Sequence, residues 1–188
     1  SITFPSESPV TNTLTSYEFT TGTPGNYSVT TANGKLTMTN AEVAITITAA
    51  SDSKTYDGSA LTNSTVTVTS GSLLTGDTLV ATATGSATNV ADTATGNNPV
   101  AAGYKVMHGT EDVTANYTIT TEAGTLTIKP KAVTVTAKSE AFTYDGNAHS
   151  NAGYDVDGLV GDDAISAVVT GSITFPSESP VTNTLTSY

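Results

Sequence analysis

ITITAASDSKTYDG, residues 45–58, and VTVTAKSEAFTYDG, residues 133–146, are one pattern written twice. In each, β-branched apolar residues alternate with threonine at a period of 2, as a strand with one buried and one wet face requires. Asp-Gly then closes the run with a turn that needs a positive φ. Tyr56 and Tyr144, 88 residues apart, are expected to pack in a core beside that turn. A second pair follows the same logic: NYSVTTANGKLTM (26–38) aligns without a gap to NYTITTEAGTLTI (116–128). The chain therefore reads as two related modules of roughly 85 residues, long enough to enclose a small core.

A longer repeat lies over this one. Residues 1–17 read SITFPSESPVTNTLTSY, and residues 172–188 read the same letters. Chance does not produce that identity. The expected parent repeats every 171 residues, and the chain carries one such period plus the overlap. The punctuation sets the frame: GTLTI ends at Lys129-Pro130, and AVTVTA opens a new run at Ala132. Residues 42–130 are expected to form one complete module. Residues 1–41 are then the C-terminal half of its sister, and residues 131–188 the N-terminal part of that same sister. Linkers of a few residues would make a stiff string of beads.

Strands are expected at Val43–Thr48, Thr65–Thr69, Thr78–Thr84, Tyr117–Thr121, Thr125–Ile128 and Val133–Thr136. Asn33-Gly34, between two alternating runs, predicts a hairpin. No window supports a ten-residue helix; Gly85, Gly96 and Pro99 interrupt the Ala-rich stretch 81–102. The expected fold class is all-β, built from tandem small β-sandwich-like modules, with a β-grasp-like mixed sheet as the competing architecture.

Composition narrows the function. The net charge of −11 disfavours nucleic acid and anionic membrane surfaces as partners. No apolar run approaches the ~18 residues of a membrane span. The absence of cysteine removes disulfides, thiolate catalysis and Cys-based zinc sites.

The order of motifs, VTVTAKSEAFTYDG, a Gly161-Asp162 turn, VTGS, then NYxxTxxxGxLTI, resembles the YDG/MBG-type tandem repeats of large bacterial surface proteins and adhesins. The resemblance covers both modules. It implies secretion or cell-surface display, tandem arrays, and a role in adhesion, with no catalytic residues to carry over. Asn40 departs from the pattern, standing where the other linker has Pro130.

Several residues invite chemistry and are weighed against plainer roles. Asp155, Asp157, Asp162 and Asp163 in YDVDGLVGDD are the candidate ligands for calcium, which takes six to eight oxygens. The EF-hand pattern is not met, and solvated turns suit the same residues. Glu111-Asp112 is a second acidic pair. His108 and His149 are the two histidines, and neither module repeats the other's. No GxSxG elbow accompanies them, so no enzyme is expected. Lys131 with Asn26 or Asn116 supplies the residue types of a self-generated isopeptide bond, although lysines at strand ends more commonly guard edges. Asn26, Asn63 and Asn116 lie in N-x-Ser/Thr sequons.

The function these features lead to is a structural repeat of an extracellular fibre or matrix, acting as spacer or stalk. Its partners would be neighbouring modules, or copies of itself joined head to tail through open strand edges. The alternative is an adhesin module that binds glycan or protein, for which exposed aromatics should cluster.

Overall fold

The computed structural model describes residues 1–187; Tyr188, the last letter of the repeated 17-residue stretch, lies outside the described residues. The fold is all-β. The strands are β1 (Val10–Asn12), β2 (Gly34–Leu36), β3 (Val43–Ala49), β4 (Asp52–Thr55), β5 (Val66–Ser70), β6 (Asp77–Val80) and β7 (Lys105–His108). They continue with β8 (Glu111–Asp112), β9 (Tyr117–Glu122), β10 (Leu126–Lys129), β11 (Thr134–Ala137), β12 (Tyr154–Asp157), β13 (Val168–Thr170) and β14 (Thr184–Ser187). Among the described residues, helix is confined to 3₁₀ turns of three residues, and no helix is long and apolar enough to cross a membrane.

The chain forms two compact units. The first comprises residues 1–50, 64–84 and 98–124, the second residues 51–63, 85–97 and 125–187. The segment 42–130, expected as one complete module, contributes strands to both.

In the first unit, β3 is the central strand of a mixed sheet, antiparallel to β5 and parallel to β9. Its sequence dictates its position. Ile45, Ile47 and Ala49 are buried, while Thr46 and Thr48 face the other way, so each buried isoleucine adds about 1.5–3 kcal/mol of hydrophobic stabilisation. The outward threonines are tied across strands, Thr48 to Thr69 (2.7 Å between hydroxyls) and to Glu122 (3.1 Å). Val106 of β7, Val113 and Tyr117 of β9 complete this core. A second sheet runs β6-β7-β8, all antiparallel, and β1 pairs with β2 alone.

In the second unit, β10 lies parallel to β4. Leu126 and Ile128 point inward and pack with Ala87, Tyr56 and Leu61. The pairs β11·β12 and β13·β14 are antiparallel, the latter with a bulge at Val168/Val169.

The expected hairpin at Asn33-Gly34 is not formed. Gly34 opens β2, whose partner is β1, and Asn33 instead accepts the Leu14 N–H through its side chain (3.1 Å). The reason is visible in the aligned segment: β9 and β10 belong to different sheets, so the residues between them join sheets and do not reverse a ribbon.

The two copies of the 17-letter stretch begin alike. Pro5–Glu7 and Pro176–Glu178 each form a 3₁₀ turn. Glu7 accepts the N–H groups of Thr3 (2.6 Å) and Phe4 (3.0 Å), and Glu178 those of Thr174 (2.8 Å) and Phe175 (3.0 Å). After the turn they diverge. Val10–Asn12 is strand β1, whereas residues 181–183 are in no strand and Thr184–Ser187 pairs with β13.

Candidate interaction surface

The histidines stand in unlike settings. His108 Nδ1 lies 2.6 Å from Asp77 Oδ1, and the other oxygen of Asp77 accepts the Tyr117 hydroxyl at 2.5 Å. Tyr117 in turn accepts the Leu74 N–H (2.9 Å). Burial, and then the bond to Asp77, raise the pKa of the Tyr117 phenol. This cluster pins the start of β9 to the 74–77 turn. Tyr117→Phe is expected to cost about 1–2 kcal/mol, since it removes one donor to a buried carboxylate and one acceptor for a main-chain N–H. Urea denaturation checks this; an unchanged midpoint would mean that the hydroxyl holds nothing.

His149 Nε2 contacts Asp145 Oδ1 at 2.9 Å, and its ring stacks on Phe142 at 4.7 Å. Asp145 also accepts the Asn147 N–H (2.9 Å), and these bonds, that of Asn147 first, lower its pKa to about 2. Asp112 is held at about 2 as well, by the Thr114 hydroxyl and then by Lys105. Both start from the usual 3.8. A carboxyl whose pKa is depressed by folding contributes stability above its unfolded value, and that stability is lost as pH falls through the folded one. These turns should therefore loosen between about pH 4 and pH 2. An NMR titration of Asp145 with a midpoint at the unperturbed value would contradict its turn.

The TYDG turns follow the expected backbone, with Gly58 at φ 78° and Gly146 at φ 85°. Lys54, Ser59 and Asp57 close the first of them; the Lys54 ammonium, then the Ser59 N–H, push the Asp57 pKa well below the carboxylate range. Tyr56 packs against the second unit's core as expected, but Tyr144 is exposed.

The four candidate calcium ligands do not converge. Asp155 and Asp157 lie on β12, where Asp155 pairs with Lys138 (3.1 Å), and Asp162 and Asp163 are exposed beyond it. Among the described residues no three acidic or histidine side chains cluster as a cation requires. Asp112 of the second acidic pair is bound by Lys105 (3.0 Å). Lys131 and Asn26 are exposed, and Asn116 accepts the Ala41 N–H through its side chain (3.4 Å).

Two asparagines, Asn98 and Asn183, make side-chain bonds to main-chain carbonyls that recur in both units. Asn98 is fully buried: its amide donates to the Ala50 carbonyl (2.8 Å), and its main chain exchanges two hydrogen bonds with Gly124. Asn183 repeats this. Its amide donates to the carbonyls of Lys138 (2.9 Å) and Asn151 (2.8 Å), and Lys138 is the residue aligned with Ala50. Unlike Asn98, Asn183 keeps a buried side-chain oxygen with no hydrogen-bond partner among the described residues. It lines a groove of about 370 Å³ together with Lys138, Glu140, Phe142, His149 and Val181. Its lining combines the Phe142 and His149 rings with the Asn183 amide. Family models, curated proteins and solved structures were compared with the chain, and none of the three comparisons returned a match.

Proposed function

We propose that this chain is a stretch of a non-enzymatic tandem repeat from a bacterial cell-surface protein or extracellular fibre, of the YDG/MBG type that it resembles. Its modules are compact sheet-built beads of sandwich type, strung as a spacer or stalk and able to join head to tail. The observation that carries this reading is the recurrence of register at the internal period. Val135 opposes Val156 and Thr136 opposes Asp155, as Ile47 opposes Val68 and Thr48 opposes Thr67, each residue 88 positions further on. Repeats of one design, joined by short linkers, give a stability that sums over modules and neighbour interfaces. Small-angle scattering and single-molecule stretching of a multi-repeat array test it. An extended array with regularly spaced unfolding steps is expected, and a collapsed, featureless chain would end the spacer reading.

A second reading, glycan binding, draws on one feature. Tyr17, Phe19 and Tyr27 are exposed and form a ladder of rings, with centroids 6.4 and 5.4 Å apart. Sugars stack on such faces. A glycan array at background for the wild type would remove it.

A further inference from the structure

We propose that Phe4 is the wedge of a joint between successive modules, seated in a receiver that His108 builds on the following one, and that this joint alternates along the parent with a different kind at residues 129–132. The inference rests on the repeat reading above and names the contact that stiffens one linker of each pair.

The wedge is prepared by its own turn. Glu7 accepts the N–H groups of Thr3 and Phe4, which fixes the backbone where the Phe4 ring leaves the chain. The ring meets that of His108 in a T-shaped pair, with centroids 5.5 Å apart and planes at 67°. It also packs against the core of Ile45, Val106 and Val113. Ring pairs of this geometry add to what burial alone supplies. The receiver is prepared as well. Asp77 holds the His108 ring through Nδ1 (2.6 Å) and is itself held by the Tyr117 hydroxyl. A Cβ on Gly76 would lie 2.6 Å from the His108 ring, so glycine at that turn makes room for the imidazole.

The linker beside this contact is constrained. Six residues, 39–44, separate Met38 from Ile45, whereas four, 129–132, separate Ile128 from Val133. The shorter linker contains Pro130, which fixes its own φ; the longer has Asn40 in that role and no proline. On length and composition the longer one should be loose. Instead, Ser8 accepts the Met38 N–H through its hydroxyl (3.0 Å), and Asn116 accepts that of Ala41 through its side chain (3.4 Å). Glu42 then stands at φ 53°, and among the described residues it is the one non-glycine with a positive φ. A side chain in that region costs free energy and persists only where its surroundings impose it. Here they are the seated turn on one side and, on the other, Val43 in register with Tyr117.

The sequence keeps wedge and receiver together. The turn that carries Phe4 recurs at Val90–Asp92, where Asp92 accepts the N–H groups of Thr88 (2.9 Å) and Asn89 (2.7 Å). Asn89 therefore stands in the place of Phe4. Counting back without a gap from Asn26 and Asn116 sets Glu18 in the place of His108. One joint thus has phenylalanine with histidine, and the other has asparagine with glutamate beside a shorter, proline-bearing linker. The first is closed by a tertiary contact, the second by covalent geometry. Under load the tertiary contact opens first, so the string yields at every second joint.

Limited proteolysis of the 188-residue chain, with a protease that cuts after glutamate, tests this; fragments are weighed and amide exchange is followed in parallel. In the wild type the bond after Glu42 should resist. Phe4→Ala should speed cleavage there about tenfold or more, Phe4→Leu should restore most of the resistance, and the N–H groups of Ile47 and Val106 should keep their protection. His108→Ala should match Phe4→Ala, and the two together should go no further than either alone. Ready cleavage after Glu42 in the wild type, an unchanged rate in Phe4→Ala, or additive effects would each overturn the joint and leave the spacer reading standing. So would a parallel loss of protection at Ile47 and Val106, which would make the ring ordinary core. A sealed joint in this assay, in an array that still scatters as a collapsed coil, would support the joint and remove the spacer reading.

Discussion

Replacing Leu126 by alanine is expected to lower the unfolding free energy by about 2–5 kcal/mol, the range for deleting a buried leucine side chain. Leu126 is fully buried and, with Ile128 and Ala87, makes up the second unit's core. Its main chain is clamped from one side by Asn97, whose side chain accepts the Leu126 N–H (2.6 Å) and donates to the Leu126 carbonyl (2.9 Å). On the other side the parallel ladder to β4 holds it. A strand fixed at both edges cannot slide to fill the space left by the missing methyls, so the upper part of the range applies. Leu36→Ala, at the aligned but half-buried position, should cost less than half as much in the monomer. Urea denaturation followed by far-UV circular dichroism reads both, and the m-value should stay constant if the change is one of stability alone. Equal costs at the two positions would mean that Leu36 is already enclosed in a single chain.

Much of the fold was legible because threonine and the branched aliphatics alternate. Strands β3, β5, β9, β10 and β11 fall within a residue or two of the expected runs. The strand expected at Thr78–Thr84 is shorter: β6 stops at Val80, and Ala83 makes only an isolated bridge to Val100. Strand β4 lacks that alternation. Asp52–Thr55 reads as a polar loop, yet it is strand β4 because β10 offers a parallel edge; Asp52 and Tyr56 donate to the carbonyls of Thr125 (3.0 Å) and Lys129 (2.8 Å). A partner more than 70 residues away leaves no local mark. The same cause explains the hairpin that Asn33-Gly34 does not make: turn chemistry is local, and sheet membership is not.

The candidate surface was less legible than the fold. Aspartates draw the eye in YDVDGLVGDD, but on β12 they alternate outward and one is taken by Lys138. What organises the groove is a single amide, Asn183, whose role follows only from the fold of its counterpart Asn98. Tyr144 illustrates the same point from the apolar side. Its TYDG motif matches that of Tyr56 letter for letter, and the turn is the same, but Tyr56 meets Leu126 and Ile128 of its module's last strand. Tyr144, on the same motif, is exposed.

A close approach of two backbone segments at Gly124 predicts the second large effect. A Cβ built on Gly124 would lie 2.2 Å from the carbonyl oxygen of Ala50 and 2.6 Å from that of Ala49. Both obstacles are backbone, so no rotamer change relieves them. The Ala50 oxygen is also the acceptor for the buried Asn98 amide, and Gly124 itself exchanges main-chain bonds with Asn98 (2.9 and 3.1 Å). Gly124→Ala therefore has to push β3's end away from β9's end, and in doing so stretches hydrogen bonds of a buried asparagine. The expected cost is about 3 kcal/mol, at the upper end for overpacking, because strain and a weakened buried polar pair add together. Amide hydrogen exchange should show where it falls: the N–H groups of Gly124 and Asn98 should lose protection, while those in β7 keep theirs. Wild-type stability for Gly124→Ala would mean that the chain there is looser than its close carbonyl contacts imply, and that the Asn98 bridge does not hold the end of β9 in place.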